Sequence, residues 1–375
     1  MKIGVVGEIK DQEHRVALTP AGAGDLVQRG HSVLVQAAAG SGAGFDDDAY
    51  SRAGAKIVSV REAWATDLVL KVKEPLEIEY PFLGQQVLFT YLHLSGVERA
   101  LTETLLARRT TAIAYETVED AEGSLPLLAP MSGVAGNMAV TMGNFWLAHH
   151  NHGKGSLLGQ VMGRRYGKVV VIGDGVVGRH ATRTAEAMGA HVYLLGRHPE
   201  REAELKSEIG ETITFVLSNP DAIALHCRDA DLLVGAVLRR GARTPMIVTE
   251  TMVETMQPGS VIVDVSIDQG GCVETARPTT HARPVYREHG VIHYGVANMP
   301  GAYPRTSTLA LTDATLPYAI KLADQGLDAL RQDTGFAKGV NTHDGHVCYR
   351  LVAEDLDLID QYCPFADLVL QSELS

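Results

Sequence analysis

The stretch from Lys168 to Gly178 constrains this chain more than any other, because Val169, Val170, Val171 and Ile172 run directly into Gly173, Gly175 and Gly178, and a helical pattern follows. An unbroken apolar run suits a strand buried on both faces. The glycine spacing supplies the rest: the first permits a tight turn, the second lets backbone approach a pyrophosphate, and the third packs helix against strand. The helix N-terminus then offers its unpaired N–H groups to phosphate. The chain therefore contains a doubly wound α/β unit, and Gly173, Gly175, Val176, Val177 and Gly178 are its candidate dinucleotide-binding residues.

In such a unit an acid about twenty residues further on, at the end of the second strand, grips the ribose hydroxyls of NAD. That strand reads Ala190 to Leu195, and Gly196 and Arg197 follow it in place of an acid. An arginine there is how related sites accommodate the extra phosphate of NADP. Arg197 and Arg201 also suit a solvated helix start, and Glu200 and Glu202 weaken any positive pocket. The cofactor is thus NAD or NADP. Asp174 puts a carboxylate inside the glycine loop, which weakens pyrophosphate binding unless it points to solvent.

At 375 residues and 45% hydrophobic content, the chain is long enough for two domains with sizeable cores. A net charge of −12 provides no basic stripe for a phosphate backbone, so the expected partner is a small molecule, not nucleic acid. Cys227, Cys272, Cys348 and Cys363 are widely spaced and form no CxxC pair, which argues against structural zinc and a disulfide framework. They suit a reducing cytoplasm. The run Ile3 to Val6 is too short for a signal peptide, and no run reaches membrane-spanning length.

The first part alternates strands and helices: Lys2 to Val6, a helix from Pro20 to Arg29, then His31 to Gln36, Leu68 to Val72 and Val87 to Tyr91. Thr19 and Pro20 open that helix as N-cap and first residue, and Gly30 closes it. A long helix spans Ser132 to His149, and further strands fall at Val169 to Val171, Val192 to Leu195, Leu232 to Gly235 and Val261 to Val265. Leu311 to Leu330 reads as another helix with no strand pattern after it. The expectation is an α/β protein of two Rossmann-like doubly wound domains. The dinucleotide-binding domain at 131–305 is inserted into a discontinuous substrate domain made of 1–130 and 306–375. The remaining tempting features read as structural. Asp46, Asp47 and Asp48 cap a helix, His149, His150 and His152 meet a helix C-terminus, and His343 and His346 sit in a strand-like tail loop.

Further strings are more specific than the glycine loop. They are Glu13-His-Arg-Val-Ala-Leu-Thr-Pro20, Leu70-Lys-Val-Lys-Glu-Pro75, Leu88-Phe-Thr-Tyr-Leu-His-Leu94, Ala114-Tyr-Glu-Thr117, Leu125-Pro-Leu-Leu-Ala-Pro-Met-Ser132, Val263-Asp-Val-Ser-Ile-Asp-Gln-Gly-Gly-Cys272, Ala276-Arg-Pro-Thr-Thr280 and Val296-Ala-Asn-Met-Pro300. Through these the chain resembles, over nearly its whole length, the L-alanine dehydrogenase family. That family shares its fold with the first domain of proton-translocating nicotinamide nucleotide transhydrogenase.

The resemblance implies reversible NAD(P)-dependent deamination of L-alanine or a close small amino acid to a keto acid and ammonia. It implies that Arg15 clamps the substrate carboxylate, as a guanidinium fork suits a planar carboxylate. A surface salt bridge of Arg15 with Glu13 or Glu8 is the plainer alternative. Lys73 holds and polarises substrate oxygens, and His93 and Asp268 exchange protons. Met131 and Asn298 stand by the substrate, and Ser132, Ile267, Asn298 and Met299 by the nicotinamide. Ser218 lies at the adenosine end, and Val237 and Leu238 join the cofactor set, with Arg239 and Arg240 replacing a more apolar pair near adenine. Gly133 stands where the family commonly has glutamate, leaving room for a different side chain. The family is commonly hexameric, implying a homo-oligomer. Alternatives are an opine- or saccharopine-type oxidoreductase and a transhydrogenase-like nucleotide-binding subunit.

Overall fold

Lys2–Val5 sets the pattern of the N-terminal half: Ile3 and Val5 on one face and Gly4 between them on the other are all buried, as befits a central strand covered on both faces. The computed structural model describes residues 1–238 and 244–374. In chain order its strands are β1 Lys2–Val5, β2 Ser32–Gln36, β3 Lys56–Val58, β4 Leu68–Leu70, β5 Val87–Thr90, β6 Thr111–Ala114, β7 Gly159–Val161, β8 Arg164–Tyr166, β9 Lys168–Ile172, β10 His191–Gly196, β11 Thr214–Leu217, β12 Leu232–Gly235, β13 Val261–Asp264, β14 Val285–Glu288, β15 Val291–Tyr294, β16 Val340–His343 and β17 His346–Val347.

Among the described residues the first sheet has eight strands in the order β17-β16-β6-β5-β4-β1-β2-β3. From β3 across to β6 every pairing is parallel. This is the doubly wound order, with its switch point between β1 and β4. Helices enter it as the sequence requires. Thr19 accepts the Gly22 N–H at 3.2 Å ahead of Pro20–Gln28, and Asp46 accepts that of Ala49 at 2.7 Å ahead of Asp47–Arg52.

One expectation fails at the C-terminal side. β16 and β17 follow the helix Pro304–Gln325 and extend the first sheet, β16 antiparallel to β6 and β17 antiparallel to β16. Their composition hid them: Val340–His343 carries one aliphatic residue, yet Val340, Asn341 and Thr342 are all buried. Asp344 and Gly345 join them with φ of 46° and 86°, the left-handed pair that a two-residue hairpin demands.

The second sheet runs β11-β10-β9-β12-β13-β15-β14, parallel except for the β14/β15 hairpin. Alternate residues of β9 feed different cores, Val169 and Val171 on one face, Val170 and Ile172 on the other. The chain forms two compact units, Met1–Met131 with Gly301–Ser375, and Ser132–Pro300. The helix Ala129–Leu147 carries the chain from the first into the second. Among the described residues no helix is long and apolar enough to cross a membrane.

Candidate active site

In the first unit Lys73 follows the carboxyl end of β4 and His93 that of β5, while Arg15 lies in the segment after β1 and Met131 in the helix Ala129–Leu147. The carboxyl ends of strands near a switch point are where open α/β sheets bind ligands. Glu8, just after β1, ties the exit of β4 in place. Its carboxylate accepts the Val72 N–H at 2.6 Å and the Lys73 N–H at 3.4 Å, and receives Lys71 Nζ at 2.7 Å. Thr90 then donates to the Lys73 carbonyl at 3.0 Å. The backbone of Lys73 is thus fixed from β1 and from β5.

Arg15 is buried, and its Nε and Nη2 meet the two carboxylate oxygens of Glu13 at 2.7 and 2.5 Å. The salt bridge allowed for in the sequence exists, but it lies inside the protein, with both side chains at most 1% exposed. Its Nη1 lies 3.0 Å from the Met131 sulfur, bringing those two predicted residues together. The Lys73 ammonium sits 5.8 Å from the ring centre of Tyr91, which stacks on the His93 imidazole at 5.6 Å.

His93 adopts a left-handed backbone, φ 48° and ψ 38°, uncommon for a residue with a Cβ. Glu116, leaving β6, holds it there by accepting the N–H groups of His93 at 2.6 Å and of Leu92 at 3.2 Å. Its carboxylate lies 3.8 Å from His93 Nδ1. Desolvation, followed by the charges of Lys73, Lys10 and Arg15, pushes the imidazole well below its ordinary pKa. Burial pushes the Glu116 carboxyl up, against the backbone N–H groups that favour its charged form. Glu116 and Tyr91 were not singled out by sequence, although both stand in the quoted strings. Their positions after β6 and β5, adjacent parallel strands, were the available signal.

In the second unit the glycine loop has the shape a dinucleotide requires. A Cβ on Gly173 would meet the Ala236 carbonyl oxygen at 2.3 Å, and one on Gly178 the Gly173 carbonyl oxygen at 1.7 Å. A Cβ on Gly175 would meet nothing within 4 Å, so the position reserved for phosphate approach opens onto free space. It is also the N-cap of the helix Val176–Met188. Ser218 donates its N–H to the Gly196 carbonyl at 2.7 Å, placing both at the β10 exit. Arg197 beside them is exposed. Val237 is held by Ser266, which accepts its N–H at 3.0 Å and donates to its carbonyl at 2.7 Å, and Leu238 is half exposed. Arg239 and Arg240 lie outside the described residues.

Asp268 follows β13 and is exposed, with both carboxylate oxygens accepting the Asn298 N–H at 3.3 and 3.4 Å. Asn298 follows β15 with φ 58°, while its neighbour Met299, like Ile267, is buried. Ser132 is partly buried near the start of Ala129–Leu147. The room expected at Gly133 is absent: a Cβ there would stand 3.1 Å from His180 Nε2, so an imidazole fills that space.

Comparison with known proteins finds matches to both halves. The description "Alanine dehydrogenase/PNT, N-terminal domain" matches residues 4–135, and "Alanine dehydrogenase/PNT, C-terminal domain" matches residues 139–350. The chain is 50% identical to the alanine dehydrogenase of Bacillus subtilis (strain 168) over 379 residues, covering 100% of this chain and 99% of that protein. It is 49% identical to alanine dehydrogenase 2 of Staphylococcus aureus (strain USA300), covering 96% and 97%. A solved L-alanine dehydrogenase superposes with a TM-score of 0.92 at 49% identity, over 96% of this chain and 100% of that one. The transhydrogenase of Sinorhizobium meliloti, at TM-score 0.82 and 24% identity over 92% of this chain and all of that one, shares the fold. With both halves matched in order and half the residues shared end to end, this chain belongs to the alanine dehydrogenase/PNT family.

Proposed function

We propose that this chain catalyses the reversible oxidative deamination of L-alanine to pyruvate and ammonia with a nicotinamide dinucleotide. What supports this reading, beside the family, is His93 at the exit of β5, its Nδ1 3.8 Å from Glu116 and its ring stacked on Tyr91, with desolvation and the charges of Lys73, Lys10 and Arg15 lowering its pKa. That is an arrangement for an anionic substrate and for a base.

Arg15 and Lys73 bind the substrate carboxylate, and by the family resemblance Met131 and Asn298 are further substrate-binding residues. A dinucleotide held at the glycine loop Gly173–Gly178 would supply hydride-acceptor chemistry for the substrate α-hydrogen. Loss of a proton from the substrate ammonium and of a hydride from the α-carbon leaves an iminium, water adds to its carbon while giving up a proton, and the carbinolamine collapses to the keto acid as its hydroxyl loses a proton and its protonated nitrogen leaves as ammonia. A neutral imidazole accepts the proton that the attacking water loses, so His93 is the base of that step; general catalysis of this kind supplies about 10²–10⁴-fold. Asp268, exposed and joined to the Asn298 N–H, serves as the second proton carrier. Gly173, Gly175, Val176, Val177 and Gly178 cradle the pyrophosphate. Ser132, Ile267, Asn298 and Met299 would hold the nicotinamide end, Gly196, Arg197 and Ser218 the adenosine end, and Val237, Leu238 and Asp268 would complete the cofactor set.

We further take the chain to act in the cytoplasm as a homo-oligomer, a hexamer by resemblance, which a mass measurement in solution tests. The activity is tested by initial rates of NADH and NADPH oxidation with pyruvate and ammonium. Turnover with pyruvate is expected. No turnover with pyruvate, but activity with a bulkier keto acid or with an amine in place of ammonium, overturns the alanine reading. Binding of NADH with no turnover on any of them indicates a nucleotide-binding subunit.

A further inference from the structure

We infer that Asp174, inside the glycine loop, supplies the acid that grips the adenosine ribose hydroxyls, and that the chain consequently selects NAD(H) over NADP(H). The inference rests on the dinucleotide reading above and names the preference that reading leaves open.

Doubly wound sites draw this acid from the end of the second strand, here Gly196. A Cβ on Gly196 would lie 2.6 Å from the Phe215 ring and 3.1 Å from the Asp174 Cβ. The Asp174 side chain therefore covers the strand end at the spot a side chain from position 196 would enter. The juxtaposition is fixed by backbone: Gly173 donates its N–H to the Leu195 carbonyl at 2.9 Å, and Ser218 donates to that of Gly196 at 2.7 Å. The carboxylate has moved from one wall of the ribose pocket to the other, and the glycine at 196 makes space for it.

The second observation is an unmet hydrogen-bonding demand. Asp174 Oδ2 is buried and has no hydrogen-bond partner among the described residues. A carboxylate oxygen shielded from water and left without a donor is costly, and vicinal ribose hydroxyls are donors. Arg201 Nη1 stands 4.0 Å away, beyond hydrogen-bond distance, and its Nε is engaged with Glu204 at 3.3 Å. His198 is likewise paired, with Glu200 at 3.0 Å. A ribose 2′-phosphate brought to this carboxylate would meet like charge at short range. Arg197, exposed on the same turn, is the residue that would favour the phosphate, and the test sets the two against each other.

Affinities of the intact enzyme for NADH and for NADPH are measured by calorimetry, without substrate, for the wild type, Asp174→Ala and Asp174→Asn. The wild type should bind NADH more tightly than NADPH. Asp174→Ala should weaken NADH by about tenfold to a hundredfold, the loss expected for hydrogen bonds to a charged group. NADPH should be bound as well or better, and Asp174→Asn should lie between. A wild type that prefers NADPH, or a variant that loses both dinucleotides equally or neither, overturns the inference. Failure of the wild type to bind either dinucleotide overturns the dinucleotide reading itself, whereas binding without alanine turnover leaves the inference standing and removes only the substrate assignment.

Discussion

His93 is chemically useful because of where its neighbours' charges lie. Lys10 contributes to depressing its pKa without itself belonging to the proposed substrate-binding pair, and it is anchored on Glu74 at 2.5 Å. Lys10→Met removes a charge that disfavours the imidazolium, so the His93 pKa should rise. The acid limb of the kcat/KM profile, below which His93 is protonated and inactive, should move to higher pH. An unmoved limb would detach the acid–base role from His93. Replacing the residue itself, His93→Ala, should abolish turnover while NADH still binds. Glu13→Gln addresses the buried pair: it removes the carboxylate charge that Arg15 meets with two nitrogens, at a cost of about 3–5 kcal/mol in denaturant unfolding. Residues at this scale were legible unevenly. Arg15 and Lys73 stood out through the family strings. Glu116 did not, because no sequence pattern tells which backbone N–H groups a carboxylate will receive from an adjacent strand. Asp174 was visible as a departure, but its direction of aim was not.

At the level of elements, the glycine loop separates folding from binding within one turn. Gly178→Ala drives a Cβ to 1.7 Å from the Gly173 carbonyl oxygen, a backbone atom that cannot swing aside. Strand and helix must part, costing at least about 1–3 kcal/mol. Gly175 has an extended backbone, φ −76° and ψ −168°, that any residue adopts, and free space around it. Gly175→Ala should change stability by less than about 0.5 kcal/mol, yet weaken NADH at least tenfold, because the methyl would occupy the line of phosphate approach. Thermal melts and calorimetry on both variants check this, and unchanged NADH affinity in Gly175→Ala would remove the pyrophosphate from that turn. The long apolar strands and the capped helices were legible because local chemistry alone specifies them. The short strands were not: Lys56–Val58, Thr111–Ala114 and Val340–His343 are each three or four residues, and their burial comes from neighbours far along the chain. The Asp344-Gly345 hairpin signal was the one local trace of β16 and β17.

The whole molecule is asymmetric in how its two units are drawn from the chain. Ser132–Pro300 is continuous and contains all of two hydrophobic clusters, one from Ala135 to Met299 and one from Val170 to Val291. The other unit closes its sheet only when the C-terminal segment returns. β16 pairs with β6, and Val347, Val352, Ala353 and Leu358 complete a cluster that begins at Val6. A fragment of residues 129–300 should therefore fold alone, unfold cooperatively with a stability of about 5–15 kcal/mol, and bind NADH. Ligand present at about a hundred times its dissociation constant should add about 2.7 kcal/mol. A fragment of residues 1–131 should fail, because the β6 edge is left bare and part of the core is missing, and an open apolar edge invites aggregation. Urea unfolding with and without NADH, and light scattering of the shorter piece, test the pair. If 129–300 has no cooperative transition, the dinucleotide half depends on the rest of the chain for its stability. If 1–131 is monomeric and folded, β16 and β17 are an ornament on the sheet instead of the part that closes it.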